Sequence, residues 1–257
     1  QIMDIVNPTF RRYAEKIIRT LMAHVQHHPA IIGWQLDNET KHYDNIGRFM
    51  QEGFVRSLQE KYPDLRQLNH DFGLDYWSNR IDRWQDFPPV ENTINASLAC
   101  AFSRYQRQQV TEYLAWQAEI VREYAQPHQF VTHNFDFEWR GYSYGVQPRV
   151  DHFAAAQALD IAGVDIYHPS QAHLTGREIA FGGAITRSLK PGQNYFVLET
   201  QAQGFAQWTP YPGQLRLQAF SHIASGAAMV SYWHWHSIHN AFETYWKGLL
   251  SHDFSRN

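Results

Sequence analysis

The sequence predicts an α/β protein, an incomplete (β/α)8 barrel (a TIM barrel) with strands four to eight present and the first strands missing upstream of residue 1. Short apolar runs alternate with segments of helical periodicity, the pattern of a parallel sheet joined by right-handed crossovers. Each apolar run closes on polar residues, as barrel strands do where they present chemistry at their C-terminal ends. The third observation is a mismatch. A whole barrel takes about 250 residues and eight strand-helix units; this chain has 257 residues but only five such units can be read.

From Thr9 to His27 apolar side chains recur at Phe10, Tyr13, Ile17, Leu21 and Val25, a helical spacing that Pro8 is placed to start and His28-Pro29 to close. The first strand is expected at Ala30–Leu36, running into Asp37-Asn38-Glu39-Thr40. Helical pattern returns from Ile46 to Tyr62 and from Ala101 to Tyr124, with an irregular stretch rich in aromatics and prolines, Tyr76 to Asn95, between them. Further strands are expected at Phe130–Asn134, Ile161–Tyr167, Tyr195–Gln201 and Ala227–Trp235. Helical segments separate them, among them Leu215–Ser225, which Gly226 ends as a C′ glycine. A doubly wound open sheet is the alternative architecture, but no glycine-rich phosphate turn follows any strand.

Composition narrows the function. Lys plus Arg is 22 and Asp plus Glu is 25, a formal charge of −3, with no basic block. That leaves no electrostatic footprint for nucleic acid or an anionic membrane. No run approaches the ~18 apolar residues of a membrane span. Cys100 is the only cysteine, so an intrachain disulfide and a cysteine zinc cluster are both excluded, and a reducing, cytoplasmic setting fits. The sequons at Asn38 and Asn95 are then chance matches. Aromatic residues make up 15%, with nine Trp and fourteen Tyr. Most read as core, although such rings also line sugar clefts. The histidines, including His234, His236 and His239, lack a carboxylate at metal-ligand spacing; neither metal nor cofactor is expected.

Two carboxylates stand where barrel chemistry is placed. Glu39 and Glu199 each follow an apolar strand run, on different strands facing one axis. Glycoside hydrolysis needs such a pair, one to protonate the leaving oxygen and one to attack the sugar carbon or activate water. The competing reading is two surface or salt-bridged glutamates, although Glu seldom follows directly on buried residues without a partner.

The segment Ile31–Glu39, IIGWQLDNE, resembles the acid/base strand of glycoside hydrolase family 42, and Phe196–Gln201, FVLETQ, its nucleophile strand. The resemblance continues through Val131–Asn134, Gly163–Tyr167, Gln207-Trp208, Pro212–Leu215, Trp233–Trp235 and Glu243–Gly248, with the wording of an actinobacterial branch. It implies a retaining β-galactosidase acting on terminal β-D-galactose of galactosides and galacto-oligosaccharides. Residues 1–257 would then be its N-terminally truncated catalytic barrel, without downstream domains and, in the full-length protein, a homotrimer.

The resemblance assigns Glu39 as acid/base and Glu199 as nucleophile, with Asn38 on the sugar 2-hydroxyl. It places Trp208 on the galactose face, Glu243 on its hydroxyls with Trp246 alongside, and Tyr167 on the nucleophile or the sugar. His133, Asn134 and Asp165 are lesser candidates at strand ends. Family members often carry a cysteine zinc cluster, which this chain lacks. Two readings stay open: another retaining glycosidase of the same clan, and a carbohydrate-binding barrel or fragment without turnover.

Overall fold

The structure, a computed structural model, describes residues 3–138, 145–167, 175–202 and 210–256. Five strands, β1 (Gly33–Gln35), β2 (Phe130–Asp136), β3 (Ile161–Asp165), β4 (Tyr195–Gln201) and β5 (Ala227–Trp233), lie side by side in chain order, every neighbouring pair parallel. The result is a half-barrel, the expected architecture rather than the doubly wound one.

Helix α1 (Pro8–Val25) begins as the sequence predicts. Pro8 occupies its first turn and the Asn7 side chain accepts the Thr9 and Phe10 N–H groups. Between β1 and β2 runs a helical excursion of α2 (Arg48–Lys61), α3 (Leu65–Phe72) and the long α4 (Ala96–Arg122). After β2 come the short α5 (His152–Ala155), then α6 (Arg177–Leu189) between β3 and β4, and α7 (Gln214–Ala224) before β5.

β2 runs two residues further than expected, β3 and β5 each end two residues earlier, and three larger differences each have a local reason. β1 is shorter, because Ile31 N–H turns back to His28 O and the ladder starts only at Gly33. α4 starts five residues early, since Asn95 Oδ1 caps the Leu98 N–H. α3 was not foreseen. Asp64 caps it on the Arg66 N–H, and Gly73 ends it at φ 63, a left-handed conformation that suits glycine.

On the outer face of the sheet, Val131 and Phe135 of β2 and Ala162 of β3 pack against Met22 of α1, Leu114 and Val121 of α4 and Ala155 of α5. Val164, Tyr195, Val197 and Ala227 continue this layer around the arc. The excursion has its own core, with Met50, Phe54, Leu58, Leu68 and Phe102 at its centre. The alternation of a strand then dictates that Thr132, Asn134 and Asp136 face the opposite, concave side. Those are polar residues, and they supply the floor of the site.

Candidate active site

Glu199 reaches the concave side through an irregularity. Tyr195 and Val197 of β4 point outward into the core, so strict alternation would send Glu199 outward too. The register with β3 instead runs Gly163↔Phe196, Val164↔Val197, Asp165↔Glu199, and the pairing with β5 shifts in the same stretch. Leu198 is therefore an extra residue, a β-bulge that turns Glu199 inward beside Asp165. Gly163 makes room for it. A Cβ there would sit 2.3 Å from Leu198 Cδ1 and 2.6 Å from the His133 carbonyl.

Glu39 lies in a tight loop four residues past the end of β1, not on the strand itself. Asp37 (φ 41) and Glu39 (φ 45) both adopt the left-handed conformation, which costs a residue with a side chain roughly 1–2 kcal/mol. Buried side chains hold the loop in this shape. Asn134 Oδ1 accepts the Glu39 N–H at 3.1 Å, Thr40 Oγ1 donates to Asp37 Oδ2 at 2.7 Å, and the Thr40 N–H donates to His133 Nε2 at 3.3 Å. His133 is fully buried. Since its Nε2 accepts, its Nδ1 carries the proton and donates to Leu36 O at 2.6 Å. Burial lowers its pKa and keeps it neutral.

Asn134 is the hub. Its amide nitrogen donates to Asn38 Oδ1 at 2.9 Å and to Asp165 Oδ2 at 2.7 Å, and lies 3.5 Å from Glu199 Oε1. Its oxygen also accepts from Gln35 Nε2 at 3.0 Å. Tyr167, two residues past β3, donates its hydroxyl to Glu199 Oε2 at 2.6 Å. Oxygens of Glu39, Asp165 and Glu199 all lie within 4.8 Å of one another, the one set of acidic or histidine groups among the described residues with metal-ligand spacing. Two of its members are already engaged by amide and phenol donors, Asp165 by Asn134 and Glu199 by Tyr167.

Two full negative charges at that separation repel by roughly 3 kcal/mol at an effective dielectric near 20, and burial adds to the cost. Burial, then the negative charge of Asp136, pushes Glu39 up to about 7, with Lys41 opposing. Asp165 is held well above the usual carboxylate range, first by burial and then by Glu199 and Glu39. Glu199 is raised by burial, but the Tyr167 hydrogen bond pulls it back. The arrangement separates an acid that keeps its proton near neutrality from a carboxylate supported as an anion. Lys41 forms an ion pair with Asp136 at the rim, where Gln147 Nε2 also donates to Asp136 at 3.1 Å.

Of the residues singled out from sequence, Glu39, Asn38, Tyr167 and Glu199 meet here. Trp246 is 8% exposed, its ring 5.4 Å from that of Tyr167. Glu243 is exposed in the segment after β5, and its charge raises the Glu199 pKa. Trp208 lies outside the described residues. Asn134 and Asp165, ranked low from sequence, are central, and Gln35 was not foreseen. The alternating outward partners Val131, Phe135 and Val164 were the available signal for the first two.

A family model described as Beta-galactosidase, Glyco_hydro_42, matches residues 1–257. The chain is 30% identical over 269 residues to a β-galactosidase of Thermus thermophilus, covering 95% of this chain and 40% of that relative. It is 28% identical over 256 residues to a β-galactosidase of Clostridium cellulovorans, covering 95% of this chain and 37% of the relative. A solved β-galactosidase from the psychrophilic Marinomonas ef1 superposes with a TM-score of 0.85 at 23% identity, over 98% of this chain and 41% of that one. The chain thus spans about two fifths of the length of the proteins it matches.

Proposed function

The chain belongs to glycoside hydrolase family 42, and from that premise we propose that residues 1–257 are the carboxylate-bearing part of a retaining β-galactosidase barrel. Its substrates are galactosides and galacto-oligosaccharides with a terminal β-D-galactose. The observation that carries this reading is the proximity of Glu39 and Glu199, whose oxygens come within 4.8 Å. Retaining enzymes hold their carboxyl groups about 5–5.5 Å apart, whereas inverting ones leave about 6.5–9.5 Å for a water.

Glu39 is the acid/base and Glu199 the nucleophile. Glu39 carries the raised pKa of about 7, which suits a group that must be protonated to release the leaving oxygen. Glu199 accepts from Tyr167, which suits a group that must start as an anion. Glu199 attacks the anomeric carbon as Glu39 protonates the departing oxygen. Glu39, now ionised, then takes a proton from the water that cleaves the galactosyl ester, so configuration is retained. Asn38 Oδ1 is taken by Asn134, so a contact with the sugar 2-hydroxyl falls to its amide nitrogen as donor. Trp208 supplies the stacking face, while Glu243 and Trp246 meet the galactose hydroxyls. The enzyme acts in the cytoplasm, a compartment in which the exposed, unpaired Cys100 is stable, and assembles as a homotrimer.

The test is chemical rescue of the protein as its gene encodes it. Glu199→Ala is expected to lose turnover of an aryl β-galactoside and to regain it with azide, giving the α-galactosyl azide. Glu39→Ala with azide should give the β-azide. The opposite pairing of products would reverse the two roles, and rescue of neither would remove both.

A further inference from the structure

We propose that Asp165 is a positioning residue that works as an un-ionised carboxylic acid, its Oδ1 hydroxyl donating a hydrogen bond to Glu39. The proposal rests on the reading of Glu39 as acid/base and adds a third, proton-holding carboxyl to the site.

The case is a count of donors. Asp165 is 2% exposed. Its Oδ2 accepts from Asn134 Nδ2 at 2.7 Å, but its Oδ1 is buried with no donor to receive. The charged and titratable groups facing it are Glu39 and Lys41 from the loop after β1, Asp136 on β2, Tyr167 beyond β3, Glu199 on β4 and, past β5, Glu243 acting on Glu199. Once Glu39 has given its proton to the leaving oxygen, none of them has a proton for Oδ1. Lys41 pairs with Asp136 and the Tyr167 hydroxyl is committed to Glu199. The two amide hydrogens of Asn134 serve Asn38 and Oδ2.

A carboxylate can only accept, whereas a carboxylic acid donates one hydrogen bond. The Glu39 carboxyl lies within hydrogen-bonding reach of Asp165. A proton on Oδ1 therefore satisfies both groups at once, and a charge there would place a third anion within 4.8 Å of two others. Burial and those two neighbours push the Asp165 pKa in the direction this requires.

The consequence is felt through Glu39. A fixed donor stabilises the Glu39 carboxylate that forms when the leaving oxygen takes its proton, making Glu39 a stronger acid than burial alone would leave it. Asp165 keeps its own proton throughout.

The experiment uses the protein as its gene encodes it, with kcat/KM measured against pH and the carbonyl stretch of un-ionised carboxyl groups followed by infrared difference spectroscopy. Asp165→Asn keeps a neutral donor of the same shape. It is expected to hold kcat/KM within about threefold and both limbs of the profile within about 0.3 pH units. Asp165→Leu, which fills the space without a donor, should lower kcat about tenfold or more, change KM less, and move the basic limb up by about one unit. At a pH where Glu39 is ionised, a protonated-carboxyl band should persist in the wild type and vanish in Asp165→Asn. The proposal is overturned if Asp165→Asn moves both limbs to lower pH by a unit or more, which marks a working anion, or if Asn and Leu give the same profile. It is equally overturned if the wild-type spectrum shows no protonated carboxyl at that pH, a result that needs no variant to fold. The infrared readout does not depend on turnover, so the assignment of roles to Glu39 and Glu199 stands or falls separately, on azide rescue.

Discussion

Tyr167 and Glu199 are joined across two neighbouring strands by a 2.6 Å hydrogen bond in which the phenol donates to Oε2. The bond opposes the effect of burial on Glu199 by favouring its anion. In Tyr167→Phe the Glu199 pKa rises, and the acid limb of the kcat/KM profile moves to higher pH. A hydrogen bond to a charged group contributes about 1.5–3 kcal/mol, so kcat/KM should fall about 10- to 100-fold. A fall with both limbs unmoved would mean that the ring packs and the hydroxyl does nothing.

Glu39 leaves a signature in stability as well as in rate. Its folded pKa of about 7 lies above the 4.5 of the unfolded chain. Below pH 4.5 both states are protonated and nothing is lost. Between 4.5 and 7 the unfolded chain ionises first, so stability drains away, by about 3 kcal/mol in all, and stays level above 7. Glu39→Gln cannot ionise. Its melting temperature relative to wild type should climb across that window by on the order of 5 °C. Calorimetry from pH 4 to 8 measures it, and a difference that stays flat with pH would place Glu39 in a solvated setting.

Lys41 and Asp136 pull on Glu39 in opposite directions, Lys41 lowering its pKa and Asp136 raising it. Both side chains of this pair are largely buried, at 13% and 15% exposed. Lys41→Met should move the basic limb to higher pH and destabilise the protein by roughly 3–5 kcal/mol, because it strands a carboxylate. Lys41→Met with Asp136→Asn should recover most of that stability and return the limb near its wild-type position. Additive losses in denaturant titrations would show that the two residues act independently.

Asn134 contacts Gln35, Asn38, Glu39 and Asp165. Asn134→Ala releases the left-handed loop that carries Glu39 and frees Asn38 together. Misplacement of this kind costs rate more than binding, and kcat is expected to drop about 100-fold with KM changed much less. Equal changes in both constants, measured with an aryl β-galactoside, would argue against a positioning role.

The sheet could be read from sequence because its strands are apolar runs of the right length between helices, and β4 at Tyr195–Gln201 needed no adjustment. The two glutamates were found because each follows such a run. What stayed hidden lies in geometry that composition does not encode. Strand ends pointed to Glu39, but its loop shape comes from hydrogen bonds to His133 and Asn134, almost a hundred positions away. The prominence of Asp165 depends on how two loops and a neighbouring strand close over one carboxyl. α3 is too short for periodicity to register, and its caps at Asp64 and Gly73 were the better clue.

Leu198 makes β4 a strand whose face assignment depends on counting rather than on chemistry. Substitutions that keep Leu198 bulky and Gly163 bare are tolerable variation. Deleting Leu198 would leave Glu199 directly after the outward Val197, where plain alternation already turns a side chain toward Asp165, so β4 can present its carboxylate inward with the bulge or without it.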